Sequence, residues 1–154
     1  MTAEAESVTK GPPRLVGQVY AEIRIRNAED VVVAERGFGA SEEIRVLMLD
    51  RVLVDTGATH LCLPARMIDE LGLRTRKEIV LLTASGQSPA RLVGPAEIEI
   101  EGRTTTVDII ELPAGEQPLL GMVLMGALGL EPDLRHERLR LLPETGPQSH
   151  FTAY

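Results

Sequence analysis

Apolar and polar residues alternate through LVGQVYAEIRIR, with Val19, Ala21, Ile23 and Ile25 set against Gln18, Glu22, Arg24 and Arg26. This is the period of a strand with one buried face. EEIRVLMLDRVLVD, KEIVLLT, AEIEIEG and RTTTVDIIEL supply further strand material. Turn-forming clusters separate these runs at Asn27-Ala28-Glu29-Asp30, Ala84-Ser85-Gly86, Glu101-Gly102 and Pro113-Ala114-Gly115. The spacing predicts consecutive strands joined as hairpins, and hence a largely antiparallel all-β fold.

Two segments depart from this rhythm. PARMIDELG begins with a proline at a plausible first helical position and ends on Gly72, and GMVLMGALGL is short, apolar and followed by Pro132. Each predicts one short helix. Residues 1–14 and 143–154 are polar and proline-containing, and are expected to be tails. That leaves residues 15–142 as one folded domain in a chain of 154 residues, long enough to bury a core without disulfides or metal.

Composition narrows the functional classes. Aromatic residues are only 3% of the chain and tryptophan is absent, so the core is expected to be aliphatic. A formal charge of −7 with no basic cluster leaves neither an electrostatic footprint nor a stacking surface for nucleic acid. The longest apolar stretch, residues 118–130, is too short for a membrane span and contains three glycines. Cys62 is the single cysteine and the N-terminus carries no apolar leader, so the expected compartment is the cytoplasm.

One charge sits where it needs an explanation. In VLVDTGATHLCLP, Asp55 directly follows an apolar run and precedes a Thr-Gly turn. A carboxylate at the edge of a buried strand is costly unless it is hydrogen-bonded or used in chemistry. Asp often caps the amides of a following turn, which is the simplest alternative. His60 and Cys62, two apart, are too few to hold zinc, and no metal or other cofactor is expected. Ser85-Gly86 lacks the Gly-x-Ser-x-Gly context of a nucleophilic serine and reads as a turn. Phosphoryl-transfer aspartates need a Lys between Asp and Thr, which is missing here.

The loop Val52–Ala58 resembles the active-site loop of the retropepsin-like aspartic peptidases, in which two hydrophobic residues precede Asp-Thr-Gly-Ala/Ser. Leu119-Leu120-Gly121, leading into a short helix, is similar to that family's second signature. LLTASGQSPARLV resembles its flap hairpin, with a small tip at Thr83, Ala84, Ser85 and Gly86. The likeness covers nearly all of residues 15–142 and is closest to single-domain, bacterial-type members. Thr59, His60 and Met122 stand where retroviral members usually carry acidic residues and an Arg.

The resemblance implies a closed barrel of antiparallel strands with a flap and one or two short helices. It also implies that Asp55 is catalytic, and that Thr56, Gly57 and Ala58 form the loop scaffold. Thr56 would lock two such loops together across a two-fold axis, and Gly57 would let substrate backbone approach. Pepsin-like hydrolysis uses two carboxylates about 3 Å apart sharing one proton. With a single Asp-Thr-Gly, the implied enzyme is a homodimer cleaving peptide or protein substrates. Its pocket walls are expected to include Leu82, Leu119 and Leu120. The alternative is a catalytically silent peptide-binding or dimerisation module of the same fold.

Overall fold

Burial of Val19, Ala21, Ile23 and Ile25 on one face organises the first long strand, as the alternation predicts. A computed structural model of the chain describes residues 17–143 together with Val8–Thr9. The strands are β1 (Val8–Thr9), β2 (Tyr20–Asn27), β3 (Val46–Asp55), β4 (Cys62–Pro64), β5 (Arg74–Thr83), β6 (Gly86–Ile100), β7 (Arg103–Leu112), β8 (Leu119–Gly121), β9 (Leu130–Asp133) and β10 (Arg138–Leu141). The helices are α1 (Ala28–Glu35), α2 (Ala65–Leu71) and α3 (Met122–Leu128), with a 3-10 turn at Ser41–Glu43.

The strands close on themselves in the order β3-β2-β6-β7-β4-β8 and back to β3, a six-stranded barrel. β5 lies off this ring and, among the described residues, pairs with β6 alone. Inside sit Ile23, Ile25, Leu47, Leu61, Leu63, Ile98, Ile109 and Leu120, an aliphatic core, and Tyr20 is the one aromatic residue buried among the described residues.

The expected antiparallel barrel is instead mixed. The long neighbours β2·β3, β2·β6 and β6·β7 are antiparallel, but β3·β8 and β4·β7 run parallel, as does the short β1·β3 pairing at Met48–Leu49. Parallel partners need a crossover connection rather than a tight turn. The three-residue strands β4 and β8 are reached by such crossovers, and local turn signals carry no information about them.

Asn27-Ala28-Glu29-Asp30, expected to be a hairpin turn, is instead the start of α1. The Asn27 side chain accepts from the Asp30 amide at 3.1 Å, a hydrogen bond that serves a turn and a helix N-cap equally well. The β-branched run Val31–Val33 disguises the helix further. The Asn27 amide also donates to the carbonyls of Leu71 (2.8 Å) and Gly72 (3.3 Å), joining the start of α1 to the end of α2. With α1 added, three helices are present among the described residues, against the one or two expected.

Both anticipated helices form. α2 ends on Gly72 and α3 on Gly129, each with positive φ at the position following the last helical turn. Arg103 closes the end of α3, its guanidinium donating to the carbonyls of Leu128 (3.1 Å) and Gly129 (2.8 Å) and to Leu142 (2.8 Å). A cation at a helix C-terminus is favourable electrostatically as well as through the hydrogen bonds. The β9–β10 hairpin that follows was not anticipated in the sequence pattern.

Candidate active site

Asp55 is the last residue of β3, and there it pairs with Gly121 of β8, with Leu53 and Val54 opposite Leu119 and Leu120. The two segments singled out in the sequence thus lie side by side. The strand stops because the chain turns on the Asp55 carboxylate: Oδ1 accepts from the Gly57 amide at 2.8 Å, and the Asp55 carbonyl accepts from the Ala58 amide at 3.1 Å. An Asx turn of this kind explains the placement of Asp locally, and it leaves the second carboxylate oxygen outside the turn.

The loop is then fastened to α3. The amides of Met122 and Val123 donate to the carbonyls of Ala58 (2.9 Å) and Thr59 (3.1 Å). First-turn amides of a helix lack partners within the helix, so the loop supplies what α3 needs. Gly121 makes this approach possible, since a Cβ there would lie 2.3 Å from the Thr59 carbonyl carbon and 2.6 Å from the His60 amide nitrogen. Its φ of −87° suits any residue, so contact and not conformation demands glycine.

Beyond the loop, the Thr59 hydroxyl and His60 Nδ1 are 2.8 Å apart, and the Cys62 thiol donates to the His60 carbonyl at 3.6 Å. Burial, and then the negative charge of Asp55, push the Cys62 thiol up to about 11. It therefore stays protonated and is no nucleophile at neutral pH. No group of three or more His, Cys, Asp and Glu side chains gathers as metal ligands would among the described residues.

A cleft of about 870 Å³ opens in front of Asp55. Asp55, Gly57, Ala58 and Thr59 line it from the loop; Thr83, Ala84 and Ser85 line it from the tip of the β5–β6 hairpin. Thr83 stiffens that tip, its hydroxyl donating to the Gly86 carbonyl at 2.9 Å and lying 3.1 Å from the Ser85 hydroxyl. Gly86 begins β6 with φ of 117°, a conformation that favours glycine.

The sequence-chosen residues divide at this point. Leu119 and Leu82 line the cleft, whereas Leu120 is fully buried in the barrel and belongs to the core, not to a pocket wall. Gly121 is buried beside the loop. Thr56 is exposed at the crown of the loop and lies outside the cleft lining.

Several lining residues escaped sequence reasoning: Pro89 and Ala90 on β6, Ile110, Glu111 and Leu112 on β7, and Pro113 and Glu116 in the β7–β8 connection. The parallel pairing of β7 with β4 brings Ile110 opposite Cys62 and Glu111 opposite Leu63, a register no local pattern encodes. Glu111 is clamped by Arg91, whose Nε donates to Oε1 at 3.0 Å while Nη2 binds Oε2. This two-pronged contact holds the Glu111 carboxyl below the usual carboxylate range. Arg91 Nη1 also reaches the Thr75 hydroxyl at 2.7 Å, tying β5 to the cleft wall.

Residues 50–127 match the model of the gag-polyprotein putative aspartyl protease family. No curated protein matches the chain.

Proposed function

Because this chain belongs to the gag-polyprotein putative aspartyl protease family, a group of retropepsin-like aspartic peptidases, we propose that it is a homodimeric aspartic endopeptidase. In this reading each subunit contributes one Asp55, and the two carboxylates meet on a two-fold axis that also relates the subunits. The observation that carries the reading is the position of Asp55 in the wall of the large cleft, with the hairpin tip lining the same space.

The chemistry follows from a shared proton. The ionised Asp55 accepts a proton from a bound water as the water oxygen attacks the scissile carbonyl carbon. The protonated Asp55 of the second subunit hydrogen-bonds the carbonyl oxygen. Collapse of the tetrahedral intermediate breaks the C–N bond, and a proton passes to the departing amine. The mechanism needs one proton shared between the two carboxylates, so cleavage is expected to be fastest at acidic pH.

Supporting this reading, Val80 and Leu82, two apart on β5, project from the hairpin at 63% and 78% exposure. In the proposed dimer they meet substrate or the opposing hairpin. Asp55→Asn is expected to abolish peptide cleavage with the thermal transition and the sedimentation coefficient unchanged. Cleavage persisting in the purified variant, or a wild-type protein that stays monomeric at every working concentration, would remove the mechanism.

A further inference from the structure

The cleft has a charge character that the family chemistry does not require. Among the described residues its lining contains three carboxylates, Asp55, Glu111 and Glu116, and no Lys, Arg or His. Their commitments differ. Asp55 takes part in its own turn. Glu111 is neutralised by the two-pronged contact with Arg91. Glu116 is exposed, its backbone amide bonds the Pro113 carbonyl at 3.3 Å, and its carboxylate has no cationic partner among the described residues. Around it the lining is apolar, with Leu81, Leu82, Ile110, Leu112 and Leu119.

We propose that Glu116 is a specificity-determining residue that selects extended peptides carrying a Lys or Arg close to an apolar scissile pair. This rests on the peptidase reading of the same cleft. Glu116 precedes Leu119 by three residues and Gly121, the neighbour of Asp55, by five. An extended chain advances about 3.3 Å per residue, so a carboxylate so placed reaches side chains within a few residues of the bond being cut. A two-fold axis would set one Glu116 on each side of that bond, making basic residues favourable on either side. The chain's net charge of −7 reinforces the bias by drawing cationic peptides to the cleft.

The magnitude follows from exposure. A solvent-exposed ion pair corresponds to about twofold to fivefold in affinity, and it weakens as salt shortens the screening length.

Binding and cleavage test this separately. Matched peptides with an apolar centre and Lys, Gln or Glu two to three residues away are titrated against the Asp55→Asn protein, which retains the cleft, with and without Glu116→Gln or Glu116→Lys. The Lys peptide is expected to bind about twofold to fivefold tighter than the Gln peptide at low salt. That preference should vanish in the Glu116→Gln background and turn toward the Glu peptide with Glu116→Lys. Equal binding of the three peptides, no binding of any, or an identical preference in all three backgrounds would overturn the proposal. The same peptides are then offered to the protein with Asp55 intact. A charge preference in binding without cleavage would overturn the peptidase and keep the selective cleft; cleavage indifferent to charge would do the reverse.

Discussion

Gly121 lies so close to His60 that a methyl group on it would stand 2.6 Å from the His60 amide nitrogen and equally close to its carbonyl oxygen. Those atoms are backbone, held by the hydrogen bonds from α3 to the Asp55 loop, and cannot swing aside. Gly121→Ala is therefore expected to lower stability by about 1–3 kcal/mol, as overpacking does. Gly126, on the same helix with open space around its Cβ position, is the control. Gly126→Ala should stabilise by about 0.5–1 kcal/mol through helix propensity. Urea denaturation of both variants checks the pair, and a neutral Gly121→Ala would mean the loop and α3 are not clamped as described.

Asn27 is 1% exposed and bonds in two directions, to the Asp30 amide and to the Leu71 carbonyl. Asn27→Ala should cost about 2 kcal/mol, combining a lost N-cap with an unsatisfied carbonyl. Asn27→Asp keeps the cap acceptor but sets an anion against the Leu71 carbonyl. It should destabilise too, and increasingly as pH rises and the new carboxyl ionises. Equal stability of Asn27→Asp and wild type at neutral pH would contradict the helix-to-helix bridge.

Four carboxyls are held below their ordinary values: Asp30 by hydrogen bonds from Arg45, Glu29 by Arg74, Glu111 by Arg91 and Asp133 by His136. At acidic pH the unfolded chain thus binds more protons than the folded one, so stability rises with pH through that range. The contribution is fully present above the ordinary carboxylate values near about pH 4, and is lost as pH falls through the depressed folded values. The melting temperature should be nearly level from neutral to mildly acidic pH and decline below about pH 4. Arg45→Met should flatten that decline; an unchanged acid slope would show that the Asp30 pair does not contribute.

With a value of about 11, the Cys62 thiol is thiolate to roughly one part in a thousand at about pH 8, against about a quarter for a free thiol. Iodoacetamide should label the folded protein on the order of a hundredfold more slowly than the denatured chain. Equal rates would place the thiol in water and away from the Asp55 charge.

Leu82 is exposed yet lines the cleft. Leu82→Ser is expected to leave stability within about 0.5 kcal/mol of the wild type, as surface changes do, while raising KM for apolar peptides several-fold. A variant with unaltered KM would mean the hairpin does not touch substrate.

Much of this protein was legible in its sequence, for reasons that are local. Alternation along Val19–Ile25 fixes which face of β2 is buried, because side chains of a strand point to opposite sides in turn. Gly72 marks the end of α2 because it adopts a positive φ there. Asp55-Thr56-Gly57 forms its turn through its own side chain, the Asp55 carboxylate accepting from the Gly57 amide, and the apolar residues before it are strand.

Other features depend on neighbours distant in the chain. The Asn27 hydrogen bond to Asp30 looks the same in a turn and at a helix start; contact with Leu71 and Gly72 accompanies the helix. Leu119 and Leu120 are equivalent in hydropathy, yet the alternation of β8 against β3 sends the first to the cleft and the second to the core. Glu111 and Glu116 are two acidic residues five apart, and only the folding of β6 beside β7 gives one an arginine and leaves the other without a cationic partner among the described residues. The sequence by itself determined the long strands β2, β3, β5, β6 and β7, the turn on Asp55 and the aliphatic core, because periodicity and backbone preference act over a few residues. The tertiary structure decided the parallel pairings, the fit of Gly121 under His60 and the charge of the cleft, because register and burial are set by segments that meet only when the barrel closes.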